Sequence, residues 1–176
     1  MSVCLRAISA AVFWLGLWCS SVAAAATITY QASDLPDTTP GEDLWQYQYT
    51  VNANLHAFDG FNVFFSPALY ASLEASPASP NADWFVTTVP IDAALPADGV
   101  YNALALSDNP ALSPPFSVSF VWLGSGTPGA QTFEIFDPTF TITETGVTTL
   151  AAVPEPASVA LLCVGLLAVI GLSRRR

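Results

Sequence analysis

Lysine is absent from this chain, and arginine occurs only near its extremes, as Arg6, Arg174, Arg175 and Arg176, so residues 7–173 carry no strong cation. His56 is the single histidine. All 14 acidic residues except Glu155 fall between positions 34 and 144. Such a surface repels phosphate backbones and offers no guanidinium or ammonium group to neutralise them, which excludes nucleic-acid binding. Cysteine is equally scarce: Cys4, Cys19 and Cys163 all lie in the terminal segments. The middle of the chain therefore forms neither a disulfide nor a thiolate metal centre, and packing alone must hold it. Export remains compatible with this, because oxidising compartments permit disulfides without requiring them. Only 10% of residues are charged, against roughly 25% in ordinary soluble proteins, and part of that deficit comes from two apolar ends. Once those are set aside, the length suits one domain with a hydrophobic core.

Residues 1–26 place Arg6 ahead of an apolar core over 7–18 and finish in Ala23-Ala24-Ala25-Ala26. This is the three-part pattern of a signal peptide. The alternating run Thr27-Ile28-Thr29-Tyr30 follows at once and reads as a strand, not as the continuation of a buried helix. Cys19 makes no lipoprotein signal, since bulky Trp18 stands where a small residue is needed. Export through Sec-type machinery is expected, with cleavage close to Ala26.

At the other end, residues 150–156 form a linker holding Pro154-Glu155-Pro156, an uncharged apolar stretch covers 157–172, and Arg174, Arg175 and Arg176 follow. As a helix that stretch spans roughly 24 Å, a little less than a hydrocarbon core of about 30 Å, a mismatch that flanking residues and local thinning absorb. The arginines orient it with the tail cytoplasmic and the acidic domain across the membrane. Pro154 and Pro156 lack N–H groups and keep the chain extended before the helix, so the neighbouring peptide bonds stay open to a protease. These residues resemble the PEP-CTERM sorting signal of exopolysaccharide-producing Gram-negative bacteria: motif, short apolar helix and terminal arginine cluster, in that order. The resemblance covers only about residues 153–176. It implies that an exosortase-type enzyme at the inner membrane reads Pro154, Glu155 and Pro156 and cuts nearby, so that this chain is substrate and the apolar tail a removable address, as in a GPI signal. The alternative is a permanent single-pass anchor.

Across residues 27–149 the dominant pattern has a period of two. Trp45-Gln46-Tyr47-Gln48-Tyr49-Thr50-Val51 is the clearest run, and Phe61 to Phe65, Phe116 to Trp122, Thr132 to Ile135 and Phe140 to Thr143 repeat it. Residues 83–89 and 100–106 are further strand candidates, while 67–73 suggest a short helical turn. Clusters of Pro, Gly, Asn and Asp at 36–41, 76–81, 108–115 and 124–129 supply the turns. The predicted fold is all-β: a β-sandwich or jelly-roll-like domain of about seven or eight antiparallel strands, flanked by an N-terminal signal helix and a C-terminal transmembrane helix.

Nothing assembles a recognisable catalytic set. His56 is the only imidazole base available for a Ser-His-Asp arrangement, no Gly-x-Ser-x-Gly motif accompanies it, and it precedes an Asp59-Gly60 turn. Two carboxylates would suffice for a glycosidase, yet the acids fall mostly in predicted turns, where solvation explains them. Asp34, Asp37, Glu42 and Asp43 share one loop and offer the oxygen ligands Ca²⁺ prefers, although their spacing is no EF-hand and a solvated acidic loop explains them equally. Carbohydrate could stack on aromatic faces, with Trp45, Trp84 and Trp122, beside Tyr47, Tyr49 and Tyr101, as the contacts if they are exposed; core packing is the competing role. The chain thus reads as a noncatalytic exported or surface protein needing no cofactor, a component of the envelope or extracellular matrix that meets exopolysaccharide. A polysaccharide-binding module is the alternative, and a secreted hydrolase a distant one.

Overall fold

A computed structural model describes residues 25–92, 94–95 and 97–152; the expected signal helix, the Pro-Glu-Pro motif and the expected transmembrane helix lie outside them. The described residues form ten strands: β1 Thr27–Asp34, β2 Leu44–Asn52, β3 Gly60–Phe65, β4 Tyr70–Ala71, β5 Trp84–Val89, β6 Gly99–Ala105, β7 Phe116–Trp122, β8 Thr132–Phe136, β9 Ile142–Val147 and β10 Thr149–Leu150. They make two five-stranded sheets, ordered β10-β1-β2-β7-β4 and β5-β6-β3-β8-β9. This is the expected β-sandwich, with two differences. Two short strands raise the number, and β10 runs parallel to β1, pairing Thr29 with Thr149 and Tyr30 with Leu150. The turn expected within residues 67–73 is confined to its start: Leu69 N–H and Tyr70 N–H both donate to the Ser66 carbonyl at 3.0 Å, and the chain then straightens into β4 against β7.

Alternation sorts the side chains as the sequence implies. Tyr47, Tyr49 and Val51 of β2 and Phe116, Val118 and Phe120 of β7 point inward from the first sheet; Phe61, Val63 and Phe65 of β3 and Tyr101 and Ala103 of β6 meet them from the second. Aromatic rings join the layers: Phe61 lies edge-on to Phe116 with ring centroids 5.0 Å apart, Trp84 edge-on to Phe116 at 4.8 Å, and Tyr49 lies 6.0 Å from Tyr101. Each fully buried large side chain contributes about 2–3 kcal/mol, and favourable ring geometry adds to that. This is how a domain without disulfides is held.

One polar cluster is built into this interior. Gln131 Nε2 donates to Tyr70 Oη at 2.9 Å, while its Oε1 accepts from Tyr49 Oη at 3.2 Å and from Thr148 Oγ1 at 3.3 Å. Tyr47 Oη donates to the Gly129 carbonyl at 2.7 Å. Burial pushes the Tyr49 hydroxyl well above its ordinary range, and burial followed by the bond to Tyr70 does the same for Tyr47. Both hydroxyls therefore stay protonated and keep donating. Thr148, in the same cluster, is the pivot at which the chain leaves β9 in one sheet and enters β10 in the other.

Candidate functional site

Adjacent aromatics in a strand cannot share a face. Phe64-Phe65 and Trp84-Phe85 each send one ring inward and the other out. The outer face of the second sheet consequently carries rings that the outer face of the first does not. Strand register arranges this face in rows across the strands. A polar row runs Thr87, Asn102, Asn62, Glu134, Thr145 through all five strands. At its centre Asn102 Nδ2 donates to Asn62 Oδ1 at 2.8 Å. On one side Phe85, Leu104, Gly60, Phe136 and Ile142 form a neighbouring row; on the other lie Val89, Val100 and Phe64.

The first of these apolar rows depends on one missing side chain. The Phe136 ring covers Gly60, where any Cβ would collide with that ring and with the Ala103 carbonyl. Phe140, at a left-handed φ of 60° and 75% exposed, stacks on Phe136 with centroids 5.7 Å apart. The turn presenting it is tied by Asp137, whose Oδ1 accepts from Thr139 Oγ1 at 2.7 Å, Thr139 N–H at 2.8 Å and Thr141 N–H at 3.0 Å. The bond from the Thr139 hydroxyl, then that from the Thr141 amide, holds this carboxyl below its usual range. An open cleft of about 470 Å³ lies beside the polar row, lined in part by Phe64, Asp98, Glu134 and Thr145.

The residues singled out in the sequence fall elsewhere. Trp84 and Trp122 are core residues, 2% and 8% exposed, and Tyr47, Tyr49 and Tyr101 are buried with them, so these five form no exposed aromatic strip. Their alternation with polar neighbours on well-paired strands drives them inward. Trp45 is half-buried against the core, and its Nε1 donates to Asp43 Oδ1 at 2.8 Å. The acidic loop does not converge on a metal: Asp43 serves Trp45, Asp37 Oδ1 accepts from Leu44 N–H at 3.0 Å, and no group of three His, Cys, Asp or Glu able to hold a metal ion occurs among the described residues. His56 is an exposed loop residue whose Nδ1 lies 3.4 Å from Asp59 Oδ2. Pro154, Glu155, Pro156, Arg174, Arg175 and Arg176 lie outside the described residues. No helix among the described residues is long and apolar enough to cross a membrane. Phe64, Phe85, Phe136 and Phe140 were not singled out as site residues, although the doublets at 64–65 and 84–85 carried the signal for two of them.

Comparison with known proteins adds a finding at the C-terminal end. No curated protein matches the chain. Among solved structures, a cohesin module from a family 33 glycoside hydrolase of Clostridium perfringens aligns with 71% of this chain and 97% of its own at 8% identity, with a TM-score of 0.38, a likeness too distant to bear on function. The family model that matches is that of the PEP-CTERM protein-sorting motif, over residues 152–176, the segment holding Pro-Glu-Pro, the apolar stretch and the arginines. By these residues the chain is a protein carrying the PEP-CTERM sorting motif.

Proposed function

We propose that this chain is a noncatalytic β-sandwich cargo. It is exported across the inner membrane of a Gram-negative bacterium, held there by its apolar tail, released by an exosortase-type enzyme that reads Pro154, Glu155 and Pro156, and put to work at the surface or in the extracellular matrix. The sorting motif over residues 152–176 carries this reading. The noncatalytic part is supported by the only imidazole lying exposed in a loop beside Asp59, with no nucleophile bonded to it among the described residues. The test compares the mature C-terminus in cells with and without the processing enzyme. Loss of the apolar tail only when the enzyme is present supports the reading, and an intact tail in both cells identifies a permanent anchor and removes it.

The outer face of the second sheet favours a second reading, polysaccharide binding. A row of amide, carboxylate and hydroxyl groups between apolar strips suits a sugar chain, whose hydroxyls need hydrogen bonds and whose ring faces stack on aromatics. Phe64, Phe85 and Phe140 take the place expected of tryptophan. In titrations of the purified domain with exopolysaccharide from its producing cells, Asn62→Ala with Asn102→Ala weakens binding about tenfold, the loss of roughly 1.4 kcal/mol of hydrogen bonding. Absence of wild-type binding removes this second reading and leaves the sorting proposal standing.

A further inference from the structure

The short segment ahead of β1 reaches a carboxylate far along the chain. Ala26 N–H donates to Glu144 Oε1 at 2.8 Å, joining positions 118 residues apart. Ala26 is half-buried and packs against the core, whereas Ala25 is exposed. Together Ala26 and Glu144 line a cleft of about 350 Å³ that Asp59 and Asp137 also face. Glu144 is the carboxylate bonded to this backbone nitrogen, Asp59 and Asp137 in the same cleft accept from His56 N–H and from Thr139 and Thr141, and the domain has no lysine or arginine to answer them. His56, beyond Asp59, is directed to that residue.

We infer that the leader is removed at the Ala25–Ala26 peptide bond, and that the α-ammonium created at Ala26 pairs with Glu144. This rests on the export reading above and names its bond and its consequence. In the cleavage, water adds across the peptide C–N bond: Ala25 leaves as a carboxylate with the leader, and the Ala26 nitrogen takes up protons to become an ammonium. One of its N–H groups keeps the bond to Glu144, which is now charge-assisted and stronger. Ala23 and Ala25 supply the small residues such a peptidase reads before this bond. Ala24 and Ala26 would serve equally for a cut one residue later, but that cut discards the residue whose nitrogen Glu144 holds. A cut one residue earlier would leave the Ala26 nitrogen a neutral amide, so of these bonds only Ala25–Ala26 yields a product whose new ammonium sits on Glu144.

Pairing favours the protonated amine, so its folded pKa rises above the unfolded value of about 7.7–8.0. The stabilisation is fully present below that unfolded value and is lost as pH rises through the folded one. The full chain is produced in a Gram-negative host and the exported protein examined by peptide mass. An N-terminus at Ala26 supports the inference. A start at Ala25 or Thr27 overturns it while leaving export intact, and a start at Met1 overturns export as well. Because the chain has no lysine, its α-amine is the sole primary amine, and an acylating reagent reports on it without background. At about pH 7 the native amine is expected to react roughly threefold to tenfold more slowly than in urea, a deficit that Glu144→Gln abolishes. Equal native and unfolded rates in the wild-type protein overturn the ion pair without recourse to any variant.

Discussion

The two sheets obey the same alternation yet turn different surfaces to solvent. On the first, Gln31, Gln48 and Ser117 lie side by side, as do Ser33, Gln46 and Ser119, a face of amides and hydroxyls with no ring among them, bounded by Leu44 and Val121 and by the Glu74 carboxylate that Ser119 holds. On the second, one polar row is set between apolar rows that include Phe64, Phe85 and Phe136. Apart from Ser119, whose hydroxyl donates to Glu74 Oε2 at 3.0 Å, these polar side chains on the first face can be satisfied by water. Those on the second depend on one another, since Phe136 is covered only because Gly60 has no side chain and Phe140 stacks on it. A surface that needs such mutual fitting is more than a solvated backing for the core, and this contrast directs the ligand search to the second sheet.

The contrast can be tested by damage. Gly60→Ala is expected to have the largest effect, a loss of about 3 kcal/mol in urea unfolding, because the new methyl meets both a ring and a backbone carbonyl that the sheet cannot move. A loss under about 0.5 kcal/mol would mean that Phe136 swings away freely and that the fitted face is an illusion.

Acid should loosen the same face by a gentler route. The Asp137 carboxyl is held below its usual value, so its contribution is present above that value and fades as pH falls through the lower, folded one, beneath about 3.8. Amide exchange at Thr139 and Thr141 is expected to accelerate in that window in the wild type and to show no such step in Asp137→Asn. An identical acid step in the variant would detach the turn from this carboxylate.

Smallest of all is the effect expected on the first sheet, where Gln48→Thr should change stability by no more than about 0.5 kcal/mol, since it exchanges one solvated strand residue for another. A change above about 1 kcal/mol would show that this face too is fitted, and would dissolve the distinction between the sheets.

Much of the architecture was legible beforehand because alternation is a direct record of which side chains leave water. Tyr47, Tyr49, Phe116, Val118 and Phe120 sit where the period of two places them. The helical turn expected at residues 67–73 is one turn long, closed by the Leu69 and Tyr70 amides on the Ser66 carbonyl, because so short a run makes too few internal bonds to outweigh strand pairing beyond it, where Tyr70 meets Trp122 of β7. Of the aromatics considered for sugar contact, Trp84, Trp122 and the three tyrosines are core residues, and only Trp45 keeps appreciable exposure. A large ring on a paired strand gains most from burial, so the informative rings were those at which alternation broke down.

The linear order of residues by itself determined the all-β character, the anionic middle without a strong cation, and the C-terminal sorting segment, because each depends on neighbours in the chain or on composition. Tertiary structure alone decided that Thr87, Asn102, Asn62, Glu134 and Thr145 share one row, and that Ala26 meets Glu144 across 118 positions. Such contacts arise from strand order and register. These are set by how two hydrophobic faces close on each other, a collective choice that no local stretch encodes.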